Sequence, residues 1–331
     1  MWKKRFALLL AALLGLPAGG AAAITVGVAP MARESDWRMV HYDDMFAAIK
    51  AEGWTLMHDG PSTKVEDQEK ALRRYVSQGV DCILLTCVGP TGLEEVLQEV
   101  NEAQIPLILI DRFPACMDQI AYAGAFRADF VEEGRRMAYW TANYLESAGR
   151  GDEEINVVIL EGTTGSSAAE DRTAGIHEVL AGYPNLKVVG SQTGNFHRAE
   201  GRAVMEGFLQ AIDKIDVVLA ENDDMGLGAI EAIRAAGKAP GEDIIVVGCD
   251  AVRFAFAAIA AGEMNATIEC TPIFSSAVIP LIKGLEAGEA YGREIIHPQE
   301  GCFDAYGGIP YTAAGDALSV KAADVMDTRL Y

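Results

Sequence analysis

Short runs of β-branched and other apolar residues alternate with longer amphipathic stretches along almost the whole chain. Most of the runs are apolar at successive positions, which is typical of strands covered on both faces. Strands of this kind, separated by helices, form parallel sheets with helices on both sides. The pattern predicts an α/β protein with strands at nine places: 24–30, 54–60, 82–88, 106–111, 155–162, 186–192, 217–222, 244–250 and 266–270.

One structural plan occurs twice. Segments 81–111 and 216–250 each run from an aspartate through an apolar strand, a polar turn, a helix and a proline to a second apolar strand that ends in aspartate. About 308 residues follow the leader segment described next, more than one hydrophobic core usually supports. Two doubly wound parallel-sheet lobes of similar construction are therefore predicted.

The first 23 residues have the composition of an export signal. Lys3, Lys4 and Arg5 precede an apolar run of about a dozen residues, and small residues follow up to Ala23. The run is shorter than the roughly 20 apolar residues that span a bilayer. We predict a signal peptide at 1–23, cleaved near Ala23, and an exported mature protein.

The mature chain is strongly acidic. Without the three basic leader residues it has 48 acidic and 24 basic residues, a net charge near −24. Nucleic acid and anionic lipid are therefore not expected as partners, since both require basic surfaces.

The six cysteines are scattered, with no CxxC pair and no histidine at ligand spacing, so neither a metal site nor a cofactor is predicted. A disulfide stays open, but Cys82, Cys87 and Cys249 fall within strand-like runs, where a free thiol packs as a small apolar group.

Hydrogen-bonding side chains follow several predicted strands. In parallel sheets the carboxyl ends of the strands share one edge, where ligands bind. Any one of these side chains alone is also a good helix cap, and Asp223 or Asp224 is expected to cap the helix that follows Asn222. The recurrence nevertheless favours a binding crevice. The side chains are Asp111 with Arg112, Asn222 with Asp223, Asp250 and Glu269.

Three further residues are placed to line such a crevice. Arg172 lies one to two turns into a helix after the glycine-rich segment 162–167, which lacks the lysine of a phosphate loop; a solvated surface arginine is the alternative. Trp37 and Phe196 follow strands and offer flat apolar faces to a sugar ring. Carboxylates and guanidinium groups together match the acceptors and donors of a polyol and give a roughly balanced charge.

The stretches ESDWR, DQEKALRRYVSQGVDCILL, IPLILIDR, LEGTTGSSAAEDRTAGI, ENDDMGLGAIEAI and ATIECTP, in this order, resemble the periplasmic sugar-binding proteins of ABC importers. The match is to the ribose/galactose type of type I periplasmic binding proteins, and within it to the galactofuranose-binding type. The resemblance implies two lobes, 24–124 plus 271–304 and 125–270 plus 305–331. It implies a three-strand hinge, with crossings near Gly124, at 270–272 and near Asp304.

The resemblance also implies ligand-binding roles. Trp37 would stack on the sugar, and Glu269 would lie at the hinge. Where the galactofuranose pattern has glycine, this chain has Asp36, which either caps the first helix or faces the crevice. The full predicted set is Glu34, Trp37, Arg38, Asp111, Arg112, Arg172, Phe196, Asn222, Asp250 and Glu269.

The resulting interpretation is a monomeric periplasmic solute-binding protein, not an enzyme. It would capture a monosaccharide, galactofuranose or a related furanose, pentose or hexose, and deliver it to an ABC permease in the inner membrane.

A chemoreceptor stays open as a further partner, as does a chemoreceptor-linked sugar sensor as the function. A second alternative is a secreted carbohydrate-active enzyme that uses two carboxylates as acid and base. We expect no catalytic residues, because Arg112 and Arg172 should keep the neighbouring acids ionised. A sugar-responsive transcription regulator is disfavoured, because an export signal occupies the place of its DNA-binding segment.

Overall fold

A computed structural model describes residues 23–289, 295–329 and 331 of the chain. Residues 1–22 of the predicted signal peptide lie outside the described residues. Within the described part, no helix combines the length and the apolar character needed to cross a bilayer.

Strands and helices alternate as the sequence predicts. The described strands are β1 (Thr25–Ala29), β2 (Thr55–Met57), β3 (Cys82–Leu85), β4 (Leu107–Ile110), β5 (Gly124–Phe126), β6 (Ile155–Glu161), β7 (Leu186–Thr193), β8 (Val217–Ala220), β9 (Ile245–Asp250), β10 (Ala266–Glu269), β11 (Ile295–Ile296), β12 (Cys302–Asp304) and β13 (Val320–Lys321). The helices are α1 (Asp36–Ala51), α2 (Val65–Gln78), α3 (Glu94–Glu102), α4 (Phe130–Ser147), α5 (Ser167–Leu180), α6 (Arg198–Ala211), α7 (Asp223–Ala235), α8 (Arg253–Ala260), α9 (Ser275–Glu286) and α10 (Ala322–Val325).

The strands form two sheets of equivalent order. The first sheet runs β11-β5-β4-β3-β1-β2 and the second β13-β12-β10-β9-β8-β6-β7. The order 2-1-3-4-5 of the first sheet thus recurs as 7-6-8-9-10 in the second, which is the doubly wound arrangement. All pairs of the strands given above are parallel except β10 with β12. The predicted fold class, two parallel-sheet α/β lobes, is confirmed.

Three segments connect the lobes, because the chain changes sheet after β5, after β10 and between β11 and β12. The segments lie side by side: Arg127 N–H donates to Ile296 O at 3.2 Å, and Glu269 N–H donates to Gly301 O at 2.9 Å. One predicted boundary needs correction. Cys302–Asp304 pairs with β10 in the second sheet, so the third crossing precedes Cys302 instead of lying near Asp304.

The sheets are covered on both faces. Every residue of β3, β4, β8 and β9 is buried, as expected for the apolar runs that predict them. All six cysteines are buried and free, so none forms the disulfide that the sequence leaves open. Because thiol groups pack as small apolar side chains, Cys82, Cys87 and Cys249 belong to the core.

Candidate functional site

A cavity lies between the lobes at the carboxyl ends of both sheets. It contains about 280 Å³ of space not filled by protein atoms, part of it open to solvent. Nine of the ten predicted site residues line it, together with Ser35, Ala168 and Cys270. The nine are Glu34, Trp37, Arg38, Asp111, Arg112, Arg172, Phe196, Asn222 and Asp250.

Two ion pairs build the first-lobe wall. Arg38, in the first turn of α1, places Nη2 at 2.6 Å from Asp111 Oδ2. Arg112 Nη2 donates to Glu34 Oε1 at 2.5 Å. Burial alone would raise the pKa of Asp111, but the Arg38 and Arg112 guanidinium groups outweigh it and hold that pKa below its ordinary value. Asp111 is therefore an ionised acceptor, as the sequence predicts.

Trp37 lines the cavity but is held firmly by the protein. His41 stacks on its ring with centroids 5.3 Å apart and planes 15° apart, and the Arg38 guanidinium lies 4.6 Å from the ring centroid. The indole N–H donates to Cys270 O at 2.6 Å, which ties α1 to the second hinge segment. The ring is only 4 % exposed, so the surface it can offer a ligand is a limited part of the indole.

Arg172 dominates the second-lobe wall. Its Nε donates to Glu133 Oε2 at 2.7 Å and its Nη1 to Glu221 O at 2.6 Å, while Nη2 lies 3.8 Å from Asp250 Oδ1. It is 3 % exposed, so the alternative of a solvated surface arginine is wrong. The α4–α5 pair that positions it packs closely: a Cβ on Gly134 would lie 2.1 Å from Arg172 O.

Glu133, the fully buried partner of Arg172, is not among the residues predicted from the sequence. A signal was present in α4. Phe130, Glu133, Met137 and Trp140 recur at helical spacing, so Glu133 falls on an otherwise apolar stripe and is buried with it. A carboxylate at such a position requires a buried cationic partner.

Asp250 ends β9 and differs from Asp111. It is 4 % exposed, and within the described part of the chain its carboxylate accepts no hydrogen bond. Burial raises its pKa well above the ordinary value; Arg172 opposes the shift, and Asp223 and Glu133 add to it. The expectation that the arginines prevent a rise in the pKa of the site acids is thus not met at Asp250, because Arg172, at 3.8 Å, offsets only part of the desolvation.

Several site residues have unusual backbone conformations. Asp111 has φ 65°, Asp250 φ 125° and Phe196 φ 63°. Residues with side chains occupy this region rarely, and such strain is concentrated at functional sites. The Phe196 ring packs on Gly162, where a Cβ would lie 1.9 Å from the ring. The glycine of the EGTTG turn therefore makes room for an aromatic wall and does not cradle a phosphate.

Asn222 caps α7. Its Oδ1 accepts from Met225 N–H at 2.9 Å and its Nδ2 donates to Phe196 O at 3.1 Å. The prediction that Asp223 or Asp224 caps this helix is wrong, because the Asn222 side chain takes that place. Asp223 instead turns inward and accepts from Thr267 Oγ1 at 2.7 Å.

Glu269 is the one predicted site residue that does not line the cavity. Its Oε1 accepts from Arg329 Nη1 at 2.6 Å and from Tyr331 Oη at 2.8 Å, and its Oε2 accepts from Gly301 N–H. The reason is strand alternation, since successive side chains point to opposite sides. Cys270 lines the cavity, so its neighbour Glu269 faces away from it, although it does lie at the hinge.

Four donors on the first-lobe wall are buried and have no hydrogen-bond partner among the described residues. They are Nε and Nη1 of Arg38 and Nε and Nη1 of Arg112. Buried polar groups are almost always paired, because an unmade hydrogen bond costs about 1–3 kcal/mol. On the opposite wall, the Asp250 carboxylate lacks donors. The cavity thus contains both unused donors and unused acceptors.

One group of side chains has the composition of a metal site. Ligand atoms of Glu133, Cys270 and Glu300 lie within 4.8 Å of one another. However, Arg172 already donates to Glu133, and Arg136 Nη1 donates to Glu300 O. Burial, followed by the neighbouring Glu133, raises the pKa of Glu300 well above its ordinary value. Arg172 therefore already neutralises the Glu133 carboxylate, and the raised pKa of Glu300 disfavours the second negative charge that a bound cation would need.

Two doubly wound lobes, three connecting segments and a buried polar cavity between them define a two-lobed solute-binding protein, whose lobes meet on one ligand. The family model described as "Periplasmic binding protein domain" matches residues 26–272. The chain belongs to this family, which consists of exported binding proteins.

Individual relatives are similar over most of their length. Galactofuranose-binding protein YtfQ of Escherichia coli (strain K12) is 39 % identical over 255 residues, 76 % of this chain and 79 % of that protein. A Mycobacterium smegmatis structure in complex with β-D-fucofuranose is 42 % identical with a TM-score of 0.80, covering 85 % of this chain and 91 % of that one. The binding component of the arabinose ABC transporter from Shewanella sp. ANA-3, bound to α- and β-L-arabinofuranose, is 34 % identical with a TM-score of 0.81, covering 92 % and 95 %.

Proposed function

We propose that the chain captures an uncharged monosaccharide in its furanose form between the two lobes and delivers it to the permease of an ABC importer. The observation that carries the proposal is the set of unused hydrogen-bonding atoms in the cavity. Arg38 and Arg112 present buried donors on one wall, and Asp250 presents a buried acceptor on the other. Sugar hydroxyls accept and donate at once, so one polyol can satisfy both walls.

The charge of the cavity favours an uncharged ligand. Three guanidinium groups (Arg38, Arg112 and Arg172) are matched by three carboxyl groups (Glu34, Asp111 and Asp250). A charged sugar would therefore add a buried charge to a cavity whose own charged groups already match one another. The three relatives described above support the furanose class, since one is named for galactofuranose and the other two are bound to fucofuranose or arabinofuranose.

Ring form can be tested directly by isothermal titration of the mature chain. We would compare two galactose analogues, each locked in one ring form by removal of the hydroxyl that would close the other ring. The furanose-locked analogue should bind and the pyranose-locked one should bind at least about ten-fold more weakly, a difference of roughly 1.4 kcal/mol. Equal binding of both would refute the furanose assignment, and binding of neither, with arabinose and fucose also inactive, would refute the sugar assignment.

The remaining parts of the proposal concern processing and partners. Cleavage near Ala23 would leave the first sheet intact, because β1 begins at Thr25; mass spectrometry of the periplasmic protein would give the mature N-terminus. We expect a monomer, which light scattering measures. The closed form would dock on its permease in the inner membrane. A chemoreceptor that recognises the same closed form is a second candidate partner. Sugar-dependent pull-down with the permease tests the first of these interactions.

A further inference from the structure

Three charged side chains connect the lobes outside the sugar cavity. Asp36 belongs to α1 of the first lobe, whereas Arg198 and Asp224 belong to α6 and α7 of the second. Asp36 N–H donates to Asp224 Oδ2 at 2.8 Å. Arg198 Nη2 donates to Asp224 Oδ1 at 3.0 Å and to Asp36 Oδ2 at 3.3 Å. None of the three lines the cavity.

This arrangement explains Asp36, the residue that departs from the glycine of the galactofuranose pattern. Ser35 caps α1, since its Oγ accepts from Arg38 N–H at 3.2 Å, so Asp36 is not the cap. Its side chain also does not enter the cavity. It reaches across to the other lobe instead.

The charges make Arg198 the central member. Burial, and then the Asp224 carboxylate, raise the pKa of Asp36, while Arg198 lowers it. Two carboxylates thus face each other across the lobes, with one guanidinium between them. The Arg198 and Asp36 side chains are 38 % and 34 % exposed, so the attraction is modest and sensitive to salt.

We propose that Asp36, Arg198 and Asp224 form a latch that sets how long the closed protein retains its sugar, whichever sugar it holds. Contacts between the lobes exist only while the lobes are together, so they stabilise the closed state over the open one. A bias of this kind changes the apparent affinity for every ligand of that state by one common factor. The three are positioning residues that touch no ligand, and the inference rests on the proposed sugar capture.

Arg198→Ala is the decisive variant, because it leaves the Asp36 and Asp224 carboxylates facing each other without a cation. The dissociation constant of every bound sugar should rise by a common ~3- to 10-fold. The change should appear in the dissociation rate, and the ranking of the sugars should stay the same. Adding Asp36→Asn to Arg198→Ala removes the repulsion and should recover part of the lost affinity, which a merely damaged helix would not show.

Arg202→Ala is the matched control. Arg202 lies one turn further along α6 and pairs with Glu206 at 2.8 Å and Glu231 at 3.3 Å, both in its own lobe. It should leave the affinities unchanged. Equal affinities in the Arg198 and Arg202 variants, or a loss confined to one sugar, would overturn the latch.

Small-angle scattering of the free protein separates this inference from the proposed function. If no sugar binds, the proposed function fails, and the latch is judged from the radius of gyration alone. A larger radius in Arg198→Ala than in the wild type and in Arg202→Ala supports the latch. Identical radii in the three proteins refute it.

Discussion

Replacing Asp250 by alanine removes the buried carboxylate of the second-lobe cavity wall, which accepts no hydrogen bond within the described part of the protein. Each charge-assisted hydrogen bond contributes about 1.5–3 kcal/mol. Losing one such bond to a sugar hydroxyl therefore weakens binding by roughly 10- to 150-fold. The free protein should not lose stability, because burial already raises the pKa of Asp250 and makes its charged form unfavourable. The melting temperature without sugar should stay level or rise.

Asp304→Ala is the matched control, since Asp304 is equally buried but fully engaged. Its carboxylate accepts from Trp140 Nε1 at 2.8 Å, Tyr306 N–H at 2.9 Å and Gly307 N–H at 2.6 Å. Leaving these donors unpaired should cost on the order of 3 kcal/mol of stability with little change in affinity. Titration calorimetry and thermal unfolding of both variants give the two readouts. Unchanged affinity in Asp250→Ala, or a stability loss equal to that of Asp304→Ala, would refute the assignment of Asp250 to the ligand.

Two further predictions concern the surroundings of the site. Gly162→Ala should weaken sugar binding, because the new methyl group would displace the Phe196 ring. Gly207→Ala has open space around its Cβ, so it should leave sugar binding unchanged and be neutral or slightly stabilising for the fold. Equal sugar affinities in the two variants would contradict this prediction. Burial raises the pKa of Glu221 from 4.5 to about 8, so between these values the folded chain holds a proton that the unfolded chain has lost. This group therefore makes the free energy of unfolding fall as pH rises from about 5 to about 8. Glu221→Gln should flatten that dependence in urea titrations, and an unchanged slope would exclude Glu221 as its source.

The strands with continuous apolar runs could be predicted from the sequence, because apolar residues at successive positions indicate burial on both faces. β3, β4, β8 and β9 are examples. The short strands β11, β12 and β13 carry no such signal. Their pairing depends on where the connecting segments bring the chain, so the crossing predicted near Asp304 was misplaced.

The site, too, could be predicted from the sequence only in part. Asp111, Asp250 and Asn222 were predictable because a polar residue at the end of an apolar strand is unusual. Glu269 satisfies the same rule and yet faces Arg329 and Tyr331. Strand alternation alone leaves open which of two neighbours enters a crevice, since that depends on the position of the strand relative to the other lobe.

The amino-acid sequence by itself determined the α/β class, the repeated lobes, the strand ends that carry polar groups and the acidic net charge. These follow from local composition and periodicity, which act within one strand or helix. Only the tertiary structure decided which polar atoms remain unpaired in the cavity, that the neighbouring arginines lower the pKa of Asp111 whereas burial raises that of Asp250, and that Asp36 reaches Arg198 in the other lobe. Each of these depends on distances between residues far apart in the chain, and on a desolvation energy that is defined only once the two lobes are packed together.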